Sequence, residues 1–291
     1  MYYLQLLING LVAGSVYALF AVGLTLVYGV FRFINFAHGE LITWGAYGVL
    51  LFMAPPLGLS LGWALVPACL LAVALGLACD RLVYQPLRQS DRVTLLIASI
   101  GLSFFLRSAL QFIFGADLTS YPLGLARGFS WGELSITGVQ LAMVACAVIF
   151  LGGLFLLLTR TRLGKALRAV SDNPELAGIM GLPLKQVGWT VWGLASLFAA
   201  AGGILLGMDT SLDPFMGLAN LIKAFAAVLL GGAGNVWGAL LGGLFIGVAE
   251  NLSVAVLSPG YKDFVAFAVI VVILLLRPQG IFALAGSGGV R

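Results

Sequence analysis

Long stretches without a charged residue are the feature that most constrains this chain. Residues 1–31 and 41–79 contain no Asp, Glu, Lys or Arg, and such residues make up only 9% of all 291. A soluble domain carries about 25% charged residues, so this sequence cannot cover itself with a water-facing surface. Several uncharged stretches reach the length of about 20 apolar residues that crosses a bilayer as a helix. The sequence therefore predicts an integral membrane protein.

The apolar stretches are typical of helices. They are runs of Leu, Val, Ala, Phe and Gly without the alternation of a transmembrane β-strand. Two of them, 219–233 and 263–276, are short for a complete span, and glycines interrupt others, so we expect tilted, half-length or re-entrant helices among them. We predict a single all-α, polytopic transmembrane domain, residues 1–291, with eight or nine transmembrane or half-membrane helices. The candidate segments are 4–29, 39–54, 60–80, 93–114, 138–159, 187–207, 219–233, 236–256 and 263–276.

The distribution of charge predicts the orientation of these segments. Positive residues collect in the connections 81–92 and 160–185 and in the tail from 277, whereas the opposite connections contain Asp117, Asp209 and other acids. The positive-inside rule places the basic connections in the cytoplasm. The N-terminus is then outside, the C-terminus is cytoplasmic, and residues 30–38 are expected near the cytoplasmic face. The net charge of +4 thus reflects topology, and no nucleic-acid partner is expected.

The most informative polar segment is TRTRLGKALRAVSDNPELAGIMGLPLKQ, residues 159–186. Its first part, 160–170, is expected to continue the preceding span as a basic helix. A second helix should then begin at Pro174, with Asp172 or Asn173 as its cap and Glu175 in its first turn, where a negative charge is favourable. Gly181 should end this helix.

Such a helix of about two turns is too short to be stable alone in water. It carries Leu176, Ile179 and Met180, so these side chains need a partner. The helix either lies against the membrane or its own bundle, or inserts into a groove on a cytoplasmic protein, as amphipathic helices commonly do. The residues alone leave both interpretations open.

Four motifs carry a family resemblance. The run from Glu175 to Gly181 resembles the EAA loop of ABC importer permeases, in which an acidic residue, a small residue and a glycine form the coupling helix. Together with INFAHGE (34–40), VLLGGAGN (228–235) and RPQGIF (277–282), it makes the chain similar to the inner-membrane permease family of high-affinity branched-chain amino acid ABC transporters. The resemblance covers essentially the whole chain. One departure is Leu182-Pro183, which follows the loop at once and not at a distance.

The resemblance implies a permease subunit of the bacterial inner membrane that translocates branched-chain or related neutral amino acids. The implied partners are a second, non-identical homologous permease, two cytoplasmic ATPase subunits, and a periplasmic or extracellular substrate-binding protein. Related permeases move amides or urea, so these substrates remain alternatives. The cytoplasmic coupling loop 160–186 would contact the ATPase through Asp172, Asn173, Pro174, Glu175, Ala177 and Gly181.

No catalytic motif accompanies these features. The only Gly-Lys pair, Gly164-Lys165, is followed by alanine where a P-loop requires Ser or Thr. The three cysteines lie in apolar segments without metal-ligand or paired spacing. We therefore expect no enzyme activity and no cofactor in this chain, with ATP and Mg²⁺ bound by the ATPase subunits. A secondary transporter or channel is the competing class, and a membrane enzyme ranks third.

Polar residues at membrane depth are functional candidates, because burying an ionisable group there costs about 2.5–3.5 kcal/mol on insertion scales. For Glu250 and for Arg107, both in outer parts of their segments, an ion pair or snorkelling would suffice. Lys223 lies early in its segment, where it could meet a carboxylate, and a structural role is favoured over substrate contact. The candidates for the translocation pathway or a gate are Asn35, His38, Glu40, Asn220, Lys223 and Glu250.

The only histidine, His38, lies two residues before Glu40. The pair is a poor acid–base couple, because positions two apart do not face each other on a helix and no nucleophile accompanies them. We expect instead that Asn35, His38 and Gly39 form a break between two helices and satisfy the backbone groups that the break frees. Glu40 would then lie in the first turn of the next helix, with a gating role left open.

Overall fold

The structure, a computed structural model, describes residues 2–122, 128–131, 134–277 and 280–281. These residues form helices joined by short connections, with one antiparallel hairpin, β1 (Gly128–Trp131) and β2 (Leu134–Thr137), and a π-helical turn, Asp80–Tyr84, that continues α3. The α-helices are α1 (Tyr2–Phe31), α2 (His38–Met53), α3 (Leu61–Cys79), α4 (Arg92–Phe114), α5 (Gly138–Arg160), α6 (Arg162–Asp172), α7 (Pro174–Ile179), α8 (Leu184–Asp209), α9 (Met216–Gly231), α10 (Val236–Ser253) and α11 (Lys262–Leu276).

The helices confirm the predicted all-α membrane architecture. Each of the nine predicted membrane segments coincides with a helix, and six helices are long and apolar enough to cross a bilayer. The segments expected to be short are short: α9 has 16 residues and α11 has 15. The hairpin β1–β2, between α4 and α5, was not predicted.

The basic segment after α5 differs from the prediction. It is a separate helix, α6, and not an extension of α5, because Thr161 ends α5 and its Oγ1 accepts a hydrogen bond of 3.1 Å from the backbone N–H of Gly164. Gly164 lies so close to the last turn of α5 that a Cβ atom there would overlap the carbonyl oxygens of Leu157 and Leu158. The cap and the close approach together turn α6 back onto α5.

Helix α1 forms the centre of the bundle, and most of its residues from Val12 onward are buried. Small residues allow α10 to lie directly against it: the Gly243–Gly247 pair faces Ala18 and Gly14. The Gly238–Gly242 pair makes an equally close approach to α9. The small-residue spacing therefore serves helix packing inside this chain, as is common in membranes.

Helix α2 begins inside the bundle and not at the end of α1. Its first residue, His38, has Nε2 3.2 Å from the carbonyl oxygen of Phe20. Phe20 precedes the end of α1, Phe31, by about 16 Å at the 1.5 Å rise of a helix. The chain therefore turns back into the bundle after α1. The prediction that residues 30–38 lie near the cytoplasmic face is wrong for His38.

Helix α9 also begins inside the bundle, after the long helix α8, and runs in the direction opposite to α2. It has the same length as α2, and its second residue, Gly217, contacts Gly39, the second residue of α2, through their backbones. The long helices that precede them, α8 and α1, pack antiparallel, with Ala195 near Gly23 and Gly202 near Phe20. Thus α1–α2 and α8–α9 form an inverted pair whose half-length helices start at the same depth.

Candidate functional site

The starts of α2 and α9 meet in a junction formed by residues 35–40 and 213–217, which we call the central break. Both halves contain the same turn. Asn35 Oδ1 accepts a hydrogen bond of 3.0 Å from the backbone N–H of Ala37, and Asp213 Oδ1 accepts one of 2.8 Å from that of Phe215. Such turns satisfy backbone donors where a helix has ended and another has not yet begun.

Other side chains fix the break in place. Asn35 Oδ1 also accepts a hydrogen bond of 2.8 Å from the Tyr84 hydroxyl, and the backbone N–H of Phe36 donates to Ser99 Oγ at 3.2 Å. Because a carbonyl oxygen can only accept, His38 Nε2 donates to Phe20. The expected role of Asn35 in satisfying a backbone group at the break is therefore confirmed, whereas His38 contacts a carbonyl in the interior of α1 and not one that the break frees.

Two glycines allow the half-length helices to touch. A Cβ atom at Gly217 would overlap the carbonyl oxygen of Gly39 and the hydroxyl of Thr43, and one at Gly39 would lie 2.8 Å from the Gly217 oxygen. The positive ends of α2 and α9 consequently lie side by side within the bundle. Discontinuous helices of this kind form substrate and ion sites in many transporters.

Glu40 lies in the first turn of α2, as predicted, and is 1% exposed. Its Oε1 accepts hydrogen bonds from the Ser103 hydroxyl at 2.9 Å and from the guanidinium of Arg107. The Arg107 guanidinium also lies 5.2 Å from the Phe215 ring. Of the alternatives for Arg107, the ion pair is therefore correct, and it joins α4 to both halves of the central break.

A second charged cluster links α9 to its neighbours. Lys223 Nζ lies 2.6 Å from Glu250 Oε1, 3.1 Å from Asp263 Oδ1 and 3.1 Å from the Tyr17 hydroxyl. The prediction that Lys223 could meet a carboxylate is confirmed. Glu250 is 1% exposed, so an ion pair, and not snorkelling, accounts for it as well. This cluster connects α1, α9, α10 and α11.

The six pathway candidates thus separate into two groups. Asn35, His38 and Glu40 lie at the central break, whereas Lys223 and Glu250 form the second cluster, and Asn220 donates to the carbonyl of Met216 at 2.8 Å within α9. Contact with a substrate stays a prediction for all of them. Ser103, Tyr84 and Asp263 were not among the predicted site residues. The spacing of four residues between Ser103 and Arg107, which places both on one helix face, was a usable signal for Ser103.

The predicted coupling helix is present as α7. Asn173 caps it, with Oδ1 accepting 3.0 Å from the backbone N–H of Leu176, and Pro174 is its first residue. Asp172 is instead the last residue of α6. Gly181 ends the turn with φ +81°, and Leu182 N–H donates to the carbonyl of Ala177 at 3.0 Å.

The apolar face of α7 points away from the bundle. Leu176, Ile179 and Met180 are 56%, 82% and 76% exposed, whereas Ala177 is buried. The described part of the chain therefore does not cover this face, so these side chains do not pack against the described part of their own bundle. The membrane surface or another protein remains.

The end of α6, just before α7, is hydrogen-bonded to the end of α1. The guanidinium of Arg32 donates to the carbonyl of Ser171 at 2.7 Å, and the Ser171 hydroxyl donates to the carbonyl of Gly29 at 3.0 Å. These two hydrogen bonds join α6 to the end of α1, only a few residues before the central break.

A bundle of apolar helices with two re-entrant half-length helices and an exposed, capped helix on one face defines a multi-pass membrane transport protein. Comparison with known families gives the particular family. Residues 6–274 match the model described as "Branched-chain amino acid transport system / permease component". The chain belongs to this family.

Relatives with curated names agree with this assignment. The chain is 38% identical to the high-affinity branched-chain amino acid transport system permease protein BraD of Pseudomonas aeruginosa, over 96% of this chain and 95% of BraD. It is 36% identical to LivH of Escherichia coli K12, which carries the same description, over 97% and 96%. A solved structure of PsaBC from Streptococcus pneumoniae aligns with a TM-score of 0.49 at 15% identity, over 96% of this chain and 93% of that one.

Proposed function

We propose that this chain is a membrane-spanning subunit of an ATP-binding cassette importer and that α7 docks into a cytoplasmic ATPase subunit. The exposed apolar face of α7 carries this proposal. Three large apolar side chains on this capped helix of about two turns point away from the bundle. A groove on another protein would bury such a face. The full assembly would contain two ATPase subunits, which bind ATP and Mg²⁺, and a second, non-identical homologous permease.

The proposed substrates are branched-chain amino acids, delivered by a periplasmic or extracellular binding protein. The descriptions of BraD and LivH, each similar to this chain over nearly its whole length, support this class. The chain would lie in a bacterial inner membrane with its N-terminus outside and its C-terminus in the cytoplasm. The basic connections 81–92 and 160–185 support that orientation.

The contacts between the end of α6 and the end of α1 support a route for coupling. A movement of α7 upon ATP binding would pass through Ser171 and Arg32 to the last turn of α1. Because the central break begins at Asn35, the two half-length helices would then change their packing at Gly39 and Gly217. Hinge residues that absorb such changes commonly lie at element ends.

The docking proposal is tested with Ile179→Asp in the complete transporter. A charge in the centre of a buried apolar contact should lower co-purification of the ATPase at least tenfold and abolish leucine uptake, as expected for an interface hot spot. Leu118→Asp is the matched control, because Leu118 is also a large, exposed aliphatic residue, 67%, but lies in the connection after α4, opposite the proposed ATPase side. Unchanged ATPase association in Ile179→Asp would contradict the proposal.

The substrate class is tested separately by uptake into proteoliposomes that contain the cognate binding protein and both permeases. Radiolabelled leucine, isoleucine and valine are expected to accumulate with ATP inside, whereas urea and acetamide are not. Accumulation of urea or acetamide without branched-chain amino acids would replace the proposed substrate class and leave the docking proposal standing.

A further inference from the structure

A cavity of about 280 Å³ opens at the end of the bundle where α1 begins and α8 ends. It lies between α1, α5, α8, α10 and α11 and is separate from the central break. Its polar lining consists of Asn9, Tyr17, Gln140, Asp209, Thr210, Asn251 and Lys262. Pockets for drug-sized ligands measure about 300–1,000 Å³, so this cavity suits a smaller molecule.

An exposed carboxylate, that of Asp209, lines the cavity. Asp209 is the last residue of α8, and within the described chain its carboxylate has no hydrogen-bond or ion-pair partner. The end of a helix is already negative because its last carbonyl groups are unpaired. The Asp209 carboxylate and the unpaired carbonyl groups are both negative and repel each other. A cation that binds beside them is therefore stabilised by both.

A cation, the ammonium of Lys262, lines the cavity as well. Lys262 is the first residue of α11, where the helix end is itself positive. Among the described residues its ammonium donates to the neutral Asn251 Oδ1 alone, at 3.2 Å, and the adjacent Asp263 is paired with Lys223. Lys262 and Asp209 line the same cavity without forming an ion pair within 4.0 Å.

Part of the cavity wall is apolar. Val12 and Val16 of α1, Met143 of α5 and Leu206 of α8 line the cavity. Asn251 is held in place because its amide donates to the carbonyl of Gly247 at 2.9 Å. The cavity thus combines an anion, a cation and an apolar surface, the three features that a free neutral amino acid requires.

We propose that this cavity is an outward-facing site for a zwitterionic amino acid, with the substrate ammonium at Asp209, its carboxylate at Lys262 and its side chain against Val16 and Met143. The site rests on the proposed import of branched-chain amino acids. It would receive the substrate after release from the binding protein, before the central break rearranges.

Direct binding tests the site without transport. The purified permease complex in nanodiscs, with no binding protein, is titrated with leucine by saturation-transfer NMR, which detects dissociation constants in the millimolar range. Two analogues each lack one charge: 3-methylbutylamine has no carboxylate, and 4-methylpentanoate has no ammonium. Both should bind at least tenfold more weakly than leucine, because a hydrogen bond to a charged group is lost.

The variants assign each charge to its residue. Asp209→Asn should weaken leucine about tenfold and leave 4-methylpentanoate unchanged, whereas Lys262→Gln should weaken leucine and leave 3-methylbutylamine unchanged. Asp117→Asn, at an exposed carboxylate outside the cavity, is the matched control and should bind leucine normally. Intact assembly of each variant is checked by size-exclusion chromatography.

The outcomes separate this site from the proposed function. Leucine uptake together with absent leucine binding, or with binding that ignores both variants, would overturn the site and leave the importer assignment in place. Absence of uptake of any branched-chain amino acid would overturn the proposed function. Equal binding of leucine and both analogues would show an apolar cavity without recognition of the two charges and would also contradict the proposal.

Discussion

Glu40 and Glu250 are both 1% exposed, and each faces a cation from another helix. Their environments differ in one respect. Arg107 has Glu40 as its only carboxylate partner in the described chain, whereas Lys223 also lies 3.1 Å from Asp263, whose side chain is 65% exposed. The pair at the central break is therefore the more sensitive to loss of one partner.

Arg107→Met should destabilise the protein strongly, because it leaves the Glu40 carboxylate buried without compensation. Breaking a buried ion pair costs about 3–5 kcal/mol, whereas replacing both partners with neutral groups is often tolerated. The double variant Glu40→Gln/Arg107→Met should recover most of that loss. Thermal unfolding in detergent measures the stability of the single and the double variant. A double variant less stable than Arg107→Met would contradict the pairing.

The sequence predicted which buried charged residues are site candidates but not which residues they pair with. A charged residue inside an apolar stretch is costly in the membrane and is therefore a functional candidate. Glu40, Lys223 and Glu250 were predicted as site residues on this basis. Glu40 and Ser103, by contrast, are joined across 63 positions of the chain. Such a pairing depends on how helices pack, and one sequence does not contain that information.

At the scale of elements, helix bounds were predictable and helix depth was not. Gaps in hydrophobicity and capping residues mark where α2 and α7 begin, and both predicted starts agree with the structure. Nothing in the apolar pattern shows that α2 starts beside Phe20. A usable signal was nevertheless present, because Asn35 and Asp213 each precede a glycine by four positions and each forms the same turn.

The contact between α2 and α9 predicts a specific sensitivity to added volume. Gly217→Ala should destabilise the protein by about 1–3 kcal/mol, the usual cost of overpacking, because its Cβ would overlap Gly39. Gly101→Ala is the matched control: it also lies within a helix, α4, but a Cβ there meets nothing within 4 Å. Thermal unfolding should show a lower Tm for Gly217→Ala alone, and equal effects of both changes would contradict the close approach.

At the scale of the whole molecule, the inverted pair explains why a chain with short helices is still a closed bundle. Helix α2 packs against α3 and α8, and α9 packs in the same way against α10 and α1. A half-length helix crosses only part of the membrane, and irregular backbone occupies the rest of that depth. Such backbone is tolerated only where protein surrounds it. The long helices α1 and α8 surround this backbone. Of the six candidate spans in the described chain α1 is accordingly the most buried, with 89% of an 18-residue stretch buried.

The orientation of the whole bundle gives the last prediction. With Cys69, Cys79 and Cys146 replaced by alanine, Asp117→Cys should react with a membrane-impermeant maleimide in intact spheroplasts, because the connection after α4 lies outside. Lys165→Cys, on exposed α6, should react only after the membrane is permeabilised. Both positions are exposed, so accessibility does not limit either reaction. Labelling of both from the same side would contradict the orientation, and with it the placement of α7 where an ATPase can reach it.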